Sequence, residues 1–273
     1  MIPKYARYEY CIKKSIEFIL NENINHFPFD SDDIISKHKW SRLKYSYLAS
    51  INNCTIDDIS EAYESNDGYT IYSGRNYTIS YNDCHDSKRR IYFTKLHEIG
   101  HIYLNHFLEF NETIIKRSSM TDAEYKVLEN EANCFARNVI APAIIVKQLN
   151  LDTPEKISDY FEITYLAAKT RLDLLEYDLR YIDKKDEDNL LNLFKPYMYK
   201  NYCFNCGHSI NIPNANYCPI CGQTTIAYGN GYSKYSGIEL TEEIKDTICS
   251  NCHITLKDCK NCRPFISNKC INV

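Results

Sequence analysis

FTKLHEIGHIYLNHF, residues 93–107, sets three histidines, one glutamate and one glycine among apolar side chains. His97 and His101 are four residues apart, which at about 100° per residue leaves them roughly 40° apart around a helix. Both imidazoles can therefore face one ion. Glu98, next to the first histidine, can reach a water held by that ion rather than the ion itself. This is the HExxH arrangement of two histidine ligands and a carboxylate general base acting on a zinc-bound water, whose pKa the metal brings down towards about 7. Gly100 suits a helix packed closely in a core. The competing reading is an ordinary buried helix with incidental histidines, and a third ligand decides between the two.

A third histidine arranged as HExxHxxGxxH would need a glycine that this sequence lacks. His106 falls five residues after His101, about 140° round if the helix continues, so it is read as a structural residue beside the site. A carboxylate on a following helix is the other source, and ENEAN (residues 129–133) supplies it. Glu129 and Glu131 lie about 200° apart on a helix, so only one of them can coordinate. Glu129 is favoured over Glu131 because Asn133, four residues on, can hold a ligand histidine through its second ring nitrogen.

Around this stretch the pattern is mixed. YCIKKSIEFILNENIN (10–25) reads as an amphipathic helix with Ile12, Ile16, Ile19 and Leu20 inside, ending before Pro28. FDSDDIISKH reads as a short helix with a Ser or Asp cap, RLKYSYL as a strand and TIDDISEAYES as a helix. YTIYS and YTISY, joined by GRN, form a hairpin. After a polar segment, Thr121 and Glu124 make a capping box for a helix that Pro142 stops. Thr153 and Pro154 start the next helix. A last one runs from about Tyr165 to Tyr181 with Ala168, Leu172, Leu175 and Leu179 on one face. KKDEDN (184–189) reads as a charged break ending the main domain.

SNDGYTIYSGRNYTISYND, RIYFTKLHEIGH and ENEANCFARNVIAP together resemble the ImmA/IrrE family of zinc metallopeptidases, and the likeness extends over about residues 10–180, through IxxYFEITYLAAKTRL. Ala141 stands where that family often has Met or Leu. The resemblance implies an α+β fold, a minimal gluzincin-like zincin domain with a small antiparallel or mixed sheet plus helices. It implies zinc on His97, His101 and Glu129, and Glu98 as catalytic acid/base. It also implies a protein substrate such as a transcriptional repressor.

Thirteen cysteines are unevenly placed, nine of them from Cys203 onward. Cys203, Cys206, Cys218 and Cys221 form two CxxC knuckles eleven residues apart, the pattern of a four-thiolate zinc ribbon. Cys249, Cys252, Cys259 and Cys262 suggest a second structural zinc, with Cys270 or His253 able to replace one thiolate. The domains expected are 1–190, the metallopeptidase; 198–228, the ribbon; and 245–273, a second Cys-rich module. The cofactor expected is Zn2+, one catalytic ion and one or two structural ones.

The formal net charge of -4 gives no global reason for nucleic-acid binding. No apolar run approaches the roughly 18 residues of a membrane span. MIPKYARYEY carries no apolar leader, and the CxxC pairs suit a reducing compartment, so a cytoplasmic protein is expected. The expected function is an intracellular zinc endopeptidase. The alternative is a DNA-binding or sensory regulator that uses ISDYFEITYLAAKTRL as a helix-turn-helix, with Lys169, Arg171 and Arg180 as its basic residues and the ribbons as further contacts. In that case the metal site would be structural or inactive.

Overall fold

The computed structural model describes residues 1–198. In chain order they form α1 (Tyr8–Asn21), α2 (Ser31–Lys37), β1 (Ser41–Lys44), α3 (Tyr45–Asn52), α4 (Ile56–Tyr63), β2 (Gly68–Tyr72), β3 (Tyr77–Tyr81), α5 (Lys88–Tyr103), α6 (His106–Phe110), α7 (Asp122–Ile140), α8 (Ala143–Gln148), α9 (Pro154–Phe161), α10 (Tyr165–Asp173), α11 (Leu175–Leu179) and α12 (Lys184–Met198). The cysteine motifs from Cys203 to Cys262, with Cys270, lie outside the described residues. The chain divides into two compact units, Met1–Leu193 and Phe194–Val273. The description below concerns the first.

The sheet has the order β1-β3-β2. β2 and β3 form the expected hairpin, with Gly68 opposite Tyr81, and β1 joins β3 in parallel. One face of the sheet lies on α5 at close range. A Cβ on Gly68 would stand 2.7 Å from Thr94 Cγ2 and 2.8 Å from the Ser80 carbonyl oxygen, so only glycine fits there. A second small core, Tyr45, Leu48, Ala49, Ile59 and Tyr69, holds α3 and α4 to the sheet.

α7 is the central helix, packed by α1 on one side and α5 on the other. Its capping box forms as expected: Thr121 accepts from the Glu124 N–H, and Glu124 in turn accepts from the Thr121 N–H. Phe18 of α1, Tyr103 of α5 and Phe135 of α7 meet edge-to-face or stacked, with centroids 4.6–6.0 Å apart. Leu96 and Ile99 of α5 and Leu128 and Ala132 of α7 are fully buried.

Three sequence expectations need correction. RLKYSYL is a strand only as far as Lys44, and Tyr45 begins a helix. The start of α3 is held by Asp83, which accepts from the Ser46 N–H at 3.1 Å and the Ser46 hydroxyl at 2.7 Å. That cap comes from across the sheet, so no local pattern announces it. KKDEDN is no break, because it forms the first turns of α12. The helix expected over 165–181 divides into α10 and α11, and its most buried side chains are Ala168, Arg171 and Asp178, none of them a leucine. Arg171 and Asp178 are both fully buried, while Leu172, Leu174, Leu175 and Leu179 are half-buried.

Arg171 and Asp178 belong to one network. Asp178 Oδ2 accepts from Arg171 Nη2 at 2.6 Å, Arg137 Nη2 at 3.1 Å and Asn138 Nδ2 at 3.0 Å, and Arg171 Nη1 donates to Asn138 Oδ1 at 3.0 Å. These bonds pin α10 and α11 to the end of α7. They also leave Arg171 unavailable as a surface base, so only Lys169 and Arg180 of the basic set remain exposed. Among the described residues no helix is long and apolar enough to cross a membrane.

Asp178→Ala strands two guanidinium groups, one of them fully buried, without their carboxylate. Urea denaturation is expected to show a loss of roughly 3–5 kcal/mol, the cost typical of breaking a buried ion pair. Full stability in that variant would mean the network does not hold the helices.

Candidate metal centre

The site is built where α5 and α7 cross. A Cβ on Gly100 would lie 3.0 Å from Phe135 Cδ1 and 3.3 Å from the Ala132 carbonyl oxygen, so the helices approach more closely than a larger side chain permits. That approach brings Glu129, one turn before Ala132, beside the two histidines on α5. His97 Nε2 and His101 Nε2 are 3.0 Å apart, and each lies 3.4 Å from a different oxygen of Glu129. The donor atoms of His97, His101 and Glu129 all lie within 4.8 Å of one another.

The donor set fits a divalent zinc-type ion. It consists of two imidazole nitrogens and one carboxylate oxygen, leaving a fourth direction open, as in catalytic zinc sites. Its electrostatics call for positive charge between the donors. Burial opposes ionisation of Glu129, yet the two imidazoles hold its carboxyl well below the ordinary range. Burial works against charging His97, but the Glu129 carboxylate raises its pKa to about 9. Burial lowers His101 to about 4, and the neighbouring His97 pushes the same way.

Each histidine is held from behind. Asn133 Oδ1 lies 3.0 Å from His97 Nδ1, the partnership expected from its place four residues after Glu129. His101 Nδ1 meets His106 Nδ1 at 2.9 Å, and His106 Nε2 meets Glu131 Oε2 at 3.0 Å. His106 reaches this position because α5 does not continue. Asn105 takes the left-handed conformation, φ 59°, and α6 starts at His106, turning its ring back to His101. The break between α5 and α6 leaves His106 behind His101 and not on the side facing His97 and Glu129. Glu131 does point away from Glu129, but towards a fully buried role that sequence spacing did not reveal.

Glu98 is buried beside His97, and its Oε2 accepts from the Thr70 hydroxyl at 2.8 Å. Burial pushes its pKa up to about 7, against the pull of His97 and Thr70 and with a further push from Glu129. A carboxyl poised near neutrality can both take and return a proton. Thr70 was not anticipated. The available signal was an inward-facing Thr in the middle of a strand leading to the HExxH helix.

The site opens into a cavity of about 570 Å³ whose lining includes Tyr63, Asp67, Arg117 and Tyr125. A second cavity, of about 930 Å³ and mostly apolar, shares Arg90, Phe93 and Asn133 with the first. The two adjoin at these three residues, next to His97.

A small mixed sheet against an HExxH helix, with a glutamate from the next long helix, is consistent with a small zincin-like domain. Residues 54–173 match the family model of Peptidase M78, described as the IrrE N-terminal-like domain. That match supports a metallopeptidase-like function for the region, which contains His97, Glu98, His101 and Glu129. No curated protein matches the chain.

Replacing Thr70 by Val removes a hydrogen bond that favours ionised Glu98, so the Glu98 pKa rises. If ionised Glu98 is the working base, the acidic limb of the pH–rate profile moves to higher pH. The rate below neutrality is expected to fall by about tenfold, the worth of one hydrogen bond to a charged group. An unchanged acidic limb would remove Thr70 from the account.

Proposed function

We propose that this chain is a zinc-dependent endopeptidase of the IrrE-like kind, acting inside the cell on a specific protein such as a transcriptional repressor. The observation that carries this reading is the convergence of His97, His101 and Glu129 with buried Glu98 in the wall of one cavity, beside a second, larger and mostly apolar one. A polypeptide suits such a cleft better than a small polar substrate. The similarity of residues 54–173 to the Peptidase M78 domain supports the same reading.

His97, His101 and Glu129 would hold the ion. When bound, zinc supplies Lewis acidity, polarising a carbonyl and making water more acidic. Glu98 takes the proton from the attacking water and passes it to the departing amine, which its near-neutral pKa allows. Thr70 keeps that carboxylate oriented. Of the chain's 24 tyrosines, Tyr63, Tyr69 and Tyr125 line the cavity. Tyr125 stands one turn before Glu129 on α7, and burial raises its pKa to about 12, so its hydroxyl stays protonated. We assign it as the donor to the oxyanion. The cysteine sets at 203–221 and 249–262 are proposed to hold one or two structural zinc ions.

The direct test is co-incubation with repressor proteins encoded beside this chain's gene, together with metal analysis. Wild type is expected to bind up to three zinc ions and to cleave, and a variant lacking His97 and His101 to carry one ion fewer. Glu98→Gln should keep the zinc and lose about 10²–10⁴-fold in rate. A Glu98→Gln protein that cuts as fast as wild type would overturn the assignment. Tyr125→Phe is expected to lower kcat by about 10²-fold with little change in KM, the pattern of a donor used only in the transition state. An unchanged kcat would exclude Tyr125.

A further inference from the structure

His106, Glu131 and Arg7 form a chain of contacts that leads away from the cavity. Glu131 is fully buried, and its carboxylate is paired with the Arg7 guanidinium. Its Oε1 accepts from the Arg7 backbone N–H at 2.8 Å and from Arg7 Nε at 2.9 Å. Its Oε2 accepts from Arg7 Nη2 at 2.8 Å and meets His106 Nε2 at 3.0 Å. Arg7 Nη1 is itself held by both oxygens of Glu109, at 2.7 and 2.9 Å. Arg7 is thus fixed at three of its nitrogens and at its backbone, at the very start of α1.

An ionised carboxylate only accepts hydrogen bonds, so His106 must carry its proton on Nε2. The Arg7 guanidinium already matches the charge of Glu131, so the fully buried His106 needs only its one Nε2 proton there and its Nδ1 is left as an acceptor. The 2.9 Å contact between the two Nδ1 atoms then requires the proton on His101 Nδ1. His101 Nε2 is left with its lone pair towards His97 and Glu129. Without Glu131, His106 is free to take the other tautomer and donate from Nδ1, which would drive the His101 proton onto Nε2 and block that ligand.

We propose that Arg7, Glu131 and His106 are positioning residues that fix the tautomer and orientation of His101. The metal site then depends on Arg7, which lies outside the matched region 54–173. This rests on the reading of His97, His101 and Glu129 as metal ligands.

The test compares full-length His106→Leu, His106→Gln, Glu131→Gln and Arg7→Met proteins. The zinc dissociation constant of the α5–α7 site is measured by chelator competition, taking as that site the ion lost on removing His97 and His101. A glutamine at 106 offers an acceptor and a donor with the same polarity as the histidine ring, whereas leucine offers neither. His106→Leu and Glu131→Gln are expected to weaken zinc binding by about 10–100-fold, while His106→Gln stays within about threefold of wild type. Arg7→Met weakens it in the same direction. Long-range proton–nitrogen NMR of metal-free wild type is expected to show His101 protonated on Nδ1.

A folded His106→Leu protein with wild-type affinity would overturn the proposal, as would a His101 protonated on Nε2. A simple loss of thermal stability with unchanged affinity would show a tether between α1 and α7 and nothing more. If His106→Leu fails to fold, Arg7→Met and the wild-type tautomer still decide. If wild type binds no zinc at these residues, the functional reading fails, and the tautomer alone reports on the relay.

Discussion

The close approach of α5 and α7 is the constraint on which the rest depends. It is possible because Gly100 has no side chain and Ala132 opposite it has a minimal one, with Phe135 closing the gap. The approach sets the distance between two histidines on one helix and a glutamate on the other. Were the helices separated by the width of a larger side chain, Glu129 would no longer face both rings at 3.4 Å. The aromatic layer of Phe18, Tyr103 and Phe135 holds α1 against the same crossing. The site is therefore set by core packing and not by loops.

α7 organises polar groups on several sides at once. Towards the cavity it presents Glu129 and Asn133, and on its opposite side Glu131 reaches His106 and Arg7. At its end Arg137 and Asn138 bind Asp178. Buried charges are costly unless paired, and here each buried carboxylate has identifiable partners. Glu98 is the least compensated of them. A hydroxyl and a neighbouring imidazole are not enough to hold it fully ionised, and its near-neutral pKa follows from that shortfall.

What the sequence revealed was what short-range periodicity encodes. The spacing of His97, Glu98 and His101 on one helix needed only helical geometry, and so did the placing of Glu129 rather than Glu131 beside the two histidines and the pairing of Asn133 with His97. The β2–β3 hairpin and the Thr121 and Thr153 caps were legible for the same reason. Features settled by distant partners were not. Tyr45 enters a helix because Asp83, nearly forty residues later, caps it. Arg171 resembles a surface base until Asp178 and Asn138 are placed around it. Arg7 carries no local sign of its role, and His106 is intelligible only once the left-handed Asn105 ends α5.

The α5–α7 crossing is proposed to form a cation site from His97, His101 and Glu129. Diffraction from crystals of the zinc-loaded chain, collected on either side of the zinc absorption edge, decides whether it does. An anomalous peak is expected within coordination distance of His97 Nε2, His101 Nε2 and a Glu129 oxygen, at roughly 2.0–2.2 Å. Zinc peaks elsewhere in the crystal with none between these three side chains would contradict it.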